Sequence, residues 1–137
     1  MEHVVGKGTK NLLISIDFGF IIYWGLIVFG LIPHDWVFQN YDDLNVKAWN
    51  WSFFPLDIAA SITGFLGIKG KGNWTLLIVS ATLTMVAGGM AIVFWSIQGF
   101  FNLGWWIPNL FLFLSYFYFY IELMPLQLLH ISESYFF

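Results

Sequence analysis

The sequence contains no cysteine and no arginine, and it is poor in charge of either sign. Five lysines and eight acids among 137 residues make it 9% charged, with a net charge of −3. Without cysteine, disulfide frameworks, thiolate metal sites and thiol nucleophiles are excluded, and the redox compartment stays open. The three histidines, His3, His34 and His130, fall near the termini or near expected helix ends. A buried metal centre built on histidine is therefore not expected, and no cofactor is implied. No basic run argues for nucleic acid. A soluble domain of this length usually carries about a quarter charged residues. Here apolar residues stand in their place: 59% hydrophobic, 22% aromatic, mean hydropathy +0.76. The composition is that of an integral membrane protein forming one transmembrane domain over residues 1–137.

Four apolar spans are expected, at residues 12–32, 51–68, 74–97 and 105–129. The first, "LLISIDFGFIIYWGLIVFGLI", runs 21 residues before Pro33, or roughly 30 Å of helix, the thickness of a hydrocarbon core. It exceeds a signal peptide's apolar region of about 7–15 residues, and no small-residue cleavage site follows it, so it reads as an uncleaved span. Strands are excluded: an open sheet edge cannot sit in lipid, and a barrel's alternation is absent. The expected fold is all-α, an integral membrane four-helix bundle. Trp36, Trp49, Trp51, Trp74, Trp105 and Trp106 mark the span ends, as an aromatic belt at headgroup depth would.

Lysine sets the orientation. Lys7 and Lys10 precede the first span and Lys69 and Lys71 follow the second, whereas the first loop holds Lys47 alone against Asp35, Asp42 and Asp43. Four against one places the N- and C-termini on the cytoplasmic side. The first loop, "PHDWVFQNYDDLNVKAWN", is expected to cap the bundle or to form a lid over an outward-facing cavity.

Acids inside spans are costly and call for an explanation. Asp57, in "WNWSFFPLD", lies six residues past Trp51, about 9 Å below the outer side. Asn50 or Ser52 would cap its helix, and Pro55 would sit in the first turn. Asp57 is then either a structural acid, bound to backbone N–H groups or to Asn109, or an acid that faces a ligand. Asn50, Ser96, Gln98 and Asn109 share its level. Asp57, Ser61 and Gly64 form one polar, small-residue stripe, and Ser80, Thr84, Gly88, Ala91 and Trp95 form another, suited to close helix packing in lipid. Asp17 lies in the body of the first span, at the level of Glu122, Ser80 and Thr63 or Thr84, and should not touch Asp57. Glu122 either joins Asp17 or reaches to the cytoplasmic interface.

The stretches "WNWSFFPLD", "SITG" (61–64), "WWIPNL" (105–110) and "IDFGFIIYW" (16–24) resemble the YvaD-like family of small bacterial membrane proteins, a domain of unknown function. The resemblance runs over roughly residues 12–123. It implies four transmembrane helices in a bacterial cytoplasmic membrane, and no activity. A looser similarity, in helix count, acids in the first two helices and aromatic interior, is to the emopamil-binding and sigma-2-like proteins. Those use intramembrane acids to hold amine-bearing apolar ligands. The histidine-plus-glutamate pattern of the isomerases among them is not evident.

Three functions are open. In the leading one the protein binds or transports a small amphipathic, lipid-like or cationic molecule in an outer-half pocket made by Asp57, Asn109, Gln98, Trp95, Ser61 and Asn50. Asp17 and Glu122 form a second candidate acid site. An enzyme acting on a lipid or isoprenoid would use Asp57 or Asp17 as general acid or base, but no nucleophile, metal set or phosphate loop accompanies them. A structural or regulatory interaction subunit, such as an immunity or assembly protein, is the third; membrane lipids surround all three.

Overall fold

The computed structural model describes residues 6–69 and 72–135, with backbone alone for residue 34 and residues 123–135. Among the described residues the chain is helical throughout, with five helices and no strand: α1 (Lys7–Val28), α2 (His34–Val37), α3 (Leu44–Ile68), α4 (Trp74–Ile97) and α5 (Leu103–Tyr135). Three of them, α1, α3 and α4, are long and apolar enough to cross a membrane.

Helix ends follow capping chemistry more than hydropathy. α1 starts at Lys7 and stops at Val28, where the apolar run alone suggested 12–32. Its end is set by Gly30, at φ +63°. Gly30 N–H reaches the Ile27 carbonyl and Leu31 N–H the Leu26 carbonyl, at 3.0 and 2.9 Å. This is a Schellman closure, which needs a left-handed residue that glycine supplies without a Cβ penalty. Gly99 closes α4 in the same way, at φ +68°, with Gly99 bonded to Ser96 and Phe100 to Trp95.

α3 begins seven residues before the expected 51–68 span. Asp43 caps it, accepting from the N–H groups of Asn45 and Val46 at 2.7 and 3.2 Å, so neither Asn50 nor Ser52 is the cap. Pro55 consequently stands inside the helix, where its missing N–H leaves the Trp51 carbonyl without its usual donor. α4 matches the expected 74–97, capped by Asn73 through the Leu76 N–H.

The long helices pack in chain order: α1 on α3, α3 on α4, α4 on α5. Small residues set the closest approach. A Cβ on Gly88 would come within 2.8 Å of the Asn109 carbonyl oxygen and 3.1 Å of the Phe113 nitrogen, so α4 and α5 touch backbone to backbone there. Two apolar clusters result. One joins Leu13, Ile16, Phe20, Ala60, Leu77, Ala81, Tyr116 and Phe119. The other gathers Val37, Phe38, Val46 and Trp95, with Trp49, Phe94, Phe100 and Trp105 against them. Through Val37 and Phe38, α2 and the residue after it cover that second end. The seam between α1 and α5 is clasped at the opposite end, where Glu122 accepts from the Thr9 hydroxyl and, at 3.3 Å, from the Gly6 N–H.

Candidate functional site

Between the clasp and the aromatic end lies a cavity of about 900 Å³. That is within the usual range of about 300–1,000 Å³ for small-molecule sites. α1 contributes Leu12, Ile16, Phe20, Tyr23 and Trp24 to it; α3 contributes Trp49, Asn50, Phe53 and Asp57; α5 contributes Trp105, Pro108, Asn109 and Leu112. Ala87 and Ala91 of α4 form part of its wall. The lining also includes residues exposed at the surface: Ser15, Gly19 and Phe111 on the flanks of α1 and α5, and Asp35, Trp36 and Asn102 near the aromatic end. The cavity is therefore a crevice that reaches the surface, with α1 and α5 both contributing to its walls.

Asp57 is its buried charged group, whereas Asp35 stands exposed at the rim. The Asp57 side chain is 5% exposed. Oδ2 accepts from the Trp24 indole N–H at 2.8 Å, while Oδ1 has no hydrogen-bond partner. Trp24 is held by edge contacts with Tyr23 and Phe54, at ring distances of 5.3 and 5.2 Å, and by Trp51 at 5.4 Å. Asp57 is held by neither Asn109 nor a helix terminus, because α3 starts thirteen residues earlier than the acid, at Leu44. Asn50, 4% exposed, lines the same cavity, its amide nitrogen having no closer partner than a loose contact with the Tyr23 hydroxyl. The Tyr23 hydroxyl has Asn50 and Asp57 as its polar neighbours.

The structure thus brings Asp57, Asn50 and Asn109 to one cavity. Asn109 lines it while donating to its own helix, at the Trp105 carbonyl, 2.7 Å away. Ser61 lies behind Asp57, 1% exposed, and its hydroxyl is shared between the Asp57 and Asp17 main-chain carbonyls at 3.0 and 3.1 Å. Trp95 is buried in the aromatic cluster against Trp49, Phe100 and Trp105. Gln98 is the exposed C-cap of α4 and is not among the cavity's lining residues. Asp17 and Glu122 are separated in role: Asp17 is fully buried on α1, and Glu122 forms the clasp.

Trp24 and Tyr23 are the residues that sequence reasoning missed. The signal was present: Asp17, Phe20 and Trp24 recur at i, i+3 and i+7 on α1, one helical face, and all three are buried.

Residues 9–129 match a family of unknown function (DUF5360). The chain belongs to this family. It is similar to the uncharacterized protein YvaD of Bacillus subtilis (strain 168), 41% identical over 120 residues that cover 84% of this chain and 90% of the relative. No solved structure matches. The resemblance of "WNWSFFPLD" and "WWIPNL" to the YvaD-like proteins is thereby established. Both stretches supply cavity residues, Trp49, Asn50, Phe53 and Asp57 from the first and Trp105, Pro108 and Asn109 from the second.

Proposed function

We propose that this DUF5360 protein is a single four-span domain of the bacterial cytoplasmic membrane that binds, for retention or transport, a small amphipathic molecule bearing a positive charge. α1, α3, α4 and the apolar first part of α5 are the spans, and the lysine distribution favours cytoplasmic termini.

One observation carries the binding reading: a buried carboxylate oxygen of Asp57 without a partner, in a crevice walled mostly by aromatic and aliphatic side chains, with Asn50 and Asn109 as its other buried polar groups. In a medium of low dielectric, an uncompensated carboxylate costs several kcal/mol. The described lysines, Lys7, Lys10, Lys47 and Lys69, lie in the first turns of α1 and α3 or just past the end of α3, away from Asp57 in mid-helix. A cationic headgroup on a ligand would supply the missing charge, and Trp24, Trp49, Trp105 and Tyr23 would offer ring faces to the same cation. The crevice's exposed flanks at Ser15, Gly19 and Phe111 suit an acyl chain entering sideways from lipid.

Thermal unfolding in detergent tests this with a single-chain alkyltrimethylammonium and the uncharged alcohol of the same chain length. The cation should raise the midpoint of the wild type and leave Asp57→Asn unmoved, while the alcohol moves neither. Equal stabilisation of wild type and variant by the cation would defeat the proposal.

A further inference from the structure

A second polar cluster lies outside the crevice lining, at the level where all four long helices meet. Asp17 is 0% exposed, Thr84 0%, Ser80 1% and Tyr116 1%. The Tyr116 hydroxyl has Ser80 and Thr84 as its hydroxyl neighbours and Asp17 as the adjacent charge. Both carboxylate oxygens of Asp17 and the hydroxyl oxygens of Ser80, Thr84 and Tyr116 have no hydrogen-bond partner. Both Asp17 oxygens thus lack any donor, and the three hydroxyls have only one another, in contacts too loose for full hydrogen bonds, where buried polar groups are ordinarily paired.

The hydroxyls contrast with others in the same helices. Ser15, Thr63, Thr82 and Ser96 each bond back to the carbonyl four residues earlier, the usual resting place for such a side chain. Ser80 and Thr84 do not. Asp17 in turn is seated against Gly64, where a Cβ would lie 2.0 Å from Oδ2. Glycine at this position of α3 leaves the room that the carboxylate occupies.

We propose that Asp17, Ser80, Thr84 and Tyr116 form a site for one small monovalent metal cation, with sodium as its natural probe. The donor set is all oxygen and carries a single negative charge. A monovalent ion leaves the buried site neutral, whereas a divalent ion would leave a net charge in low dielectric at a cost of several kcal/mol. The cluster is fully enclosed, which excludes an organic cation of the kind the crevice would admit. The proposal is independent of the reading of the crevice. Ser61, bonded to the main chain at both Asp17 and Asp57, provides a direct mechanical link between the two sites.

The test is thermal unfolding of the full-length protein and of Asp57→Asn in detergent, with sodium chloride, potassium chloride or choline chloride at one ionic strength and fixed pH, the choline comparison being read in Asp57→Asn, where the crevice offers a trimethylammonium group no charge. Sodium should give a saturable rise in the midpoint that choline does not. Asp17→Asn should abolish the rise and Asp57→Asn should retain it. Thr84→Val, which keeps the shape, should raise the half-saturating sodium concentration about tenfold, and serves if Asp17→Asn does not fold. Potassium is the size control; stabilisation by either metal ion but not by choline upholds the site. Equal response to choline, a sodium response unchanged in Asp17→Asn or in Thr84→Val, or stabilisation by acid alone with no dependence on sodium would overturn it. Loss of alkylammonium binding in Asp57→Asn with the sodium response intact separates the failure of one reading from that of the other.

Discussion

The indole N–H of Trp24 on α1 donates to the carboxylate of Asp57 on α3 at 2.8 Å, in the interior of the protein. The contact ties the two helices at the depth of the crevice and leaves one carboxylate oxygen facing no protein donor. Trp24→Phe keeps most of the ring and removes the donor. Its expected cost is about 1–2 kcal/mol, read from unfolding in detergent. Asp57→Asn keeps an acceptor for the indole and should cost less, while removing the charge on which the proposed cation binding rests. A Trp24→Phe protein as stable as the wild type would show that the bond contributes nothing.

Gly64 and Asp17 form a second coupled pair. In Gly64→Ala the new methyl would overlap the Asp17 carboxylate, and the acid has no solvent to move into. Overpacking of this kind costs about 1–3 kcal/mol. The cost should fall markedly in an Asp17→Ala background, and a double-mutant cycle measures the difference. Additive effects would contradict the contact.

The adjacent glycines of α4 are expected to differ. Gly88→Ala meets backbone atoms of Asn109 and Phe113, whereas Gly89→Ala meets only the Phe113 ring, at 3.2 and 3.3 Å. A ring can turn and a helix backbone cannot. Gly88→Ala should therefore destabilise the α4–α5 contact by about 1–3 kcal/mol, and Gly89→Ala by less than half as much in the same assay. The reverse order would place the close helix contact elsewhere.

The absence of native cysteine makes topology easy to read. Asp42 and Lys69 are both exposed and flank α3 at its two ends. In intact cells, Asp42→Cys should react with a thiol reagent that cannot cross the membrane, and Lys69→Cys should react only after permeabilisation. The opposite pattern would invert the lysine-based orientation.

Helical content and the 74–97 element were legible because α4 is apolar along its length and Asn73 supplies an N-cap. The start of α3 was misplaced because hydropathy marks where lipid would begin, whereas Asp43 marks where backbone N–H groups need an acceptor. The two lie eight residues apart, counting from Asp43 to Trp51. Gly30 was overlooked as the stop of α1 for the same reason, with Pro33 standing conspicuously nearby. At the site, Asp57, Asn50 and Asn109 were found together because depth along a helix follows from counting residues. Trp24 was missed because tryptophan in an apolar chain was assigned to span ends. The unpaired state of the Ser80 and Thr84 hydroxyls could not be read from sequence, since it depends on which way each side chain turns.

The clasp of Glu122 on Thr9 and Gly6 fastens the first and last long helices at one end, and farther along both of them line the crevice. A guest arriving from the bilayer would then find a doorway already framed, with its hinge fixed. Swinging aside the exposed Phe111 requires a rotamer change, which for exposed side chains occurs within about picoseconds to nanoseconds, rather than rupture of a helical turn. Residence time would then be governed by the grip on the guest's charged end, not by the speed of the door.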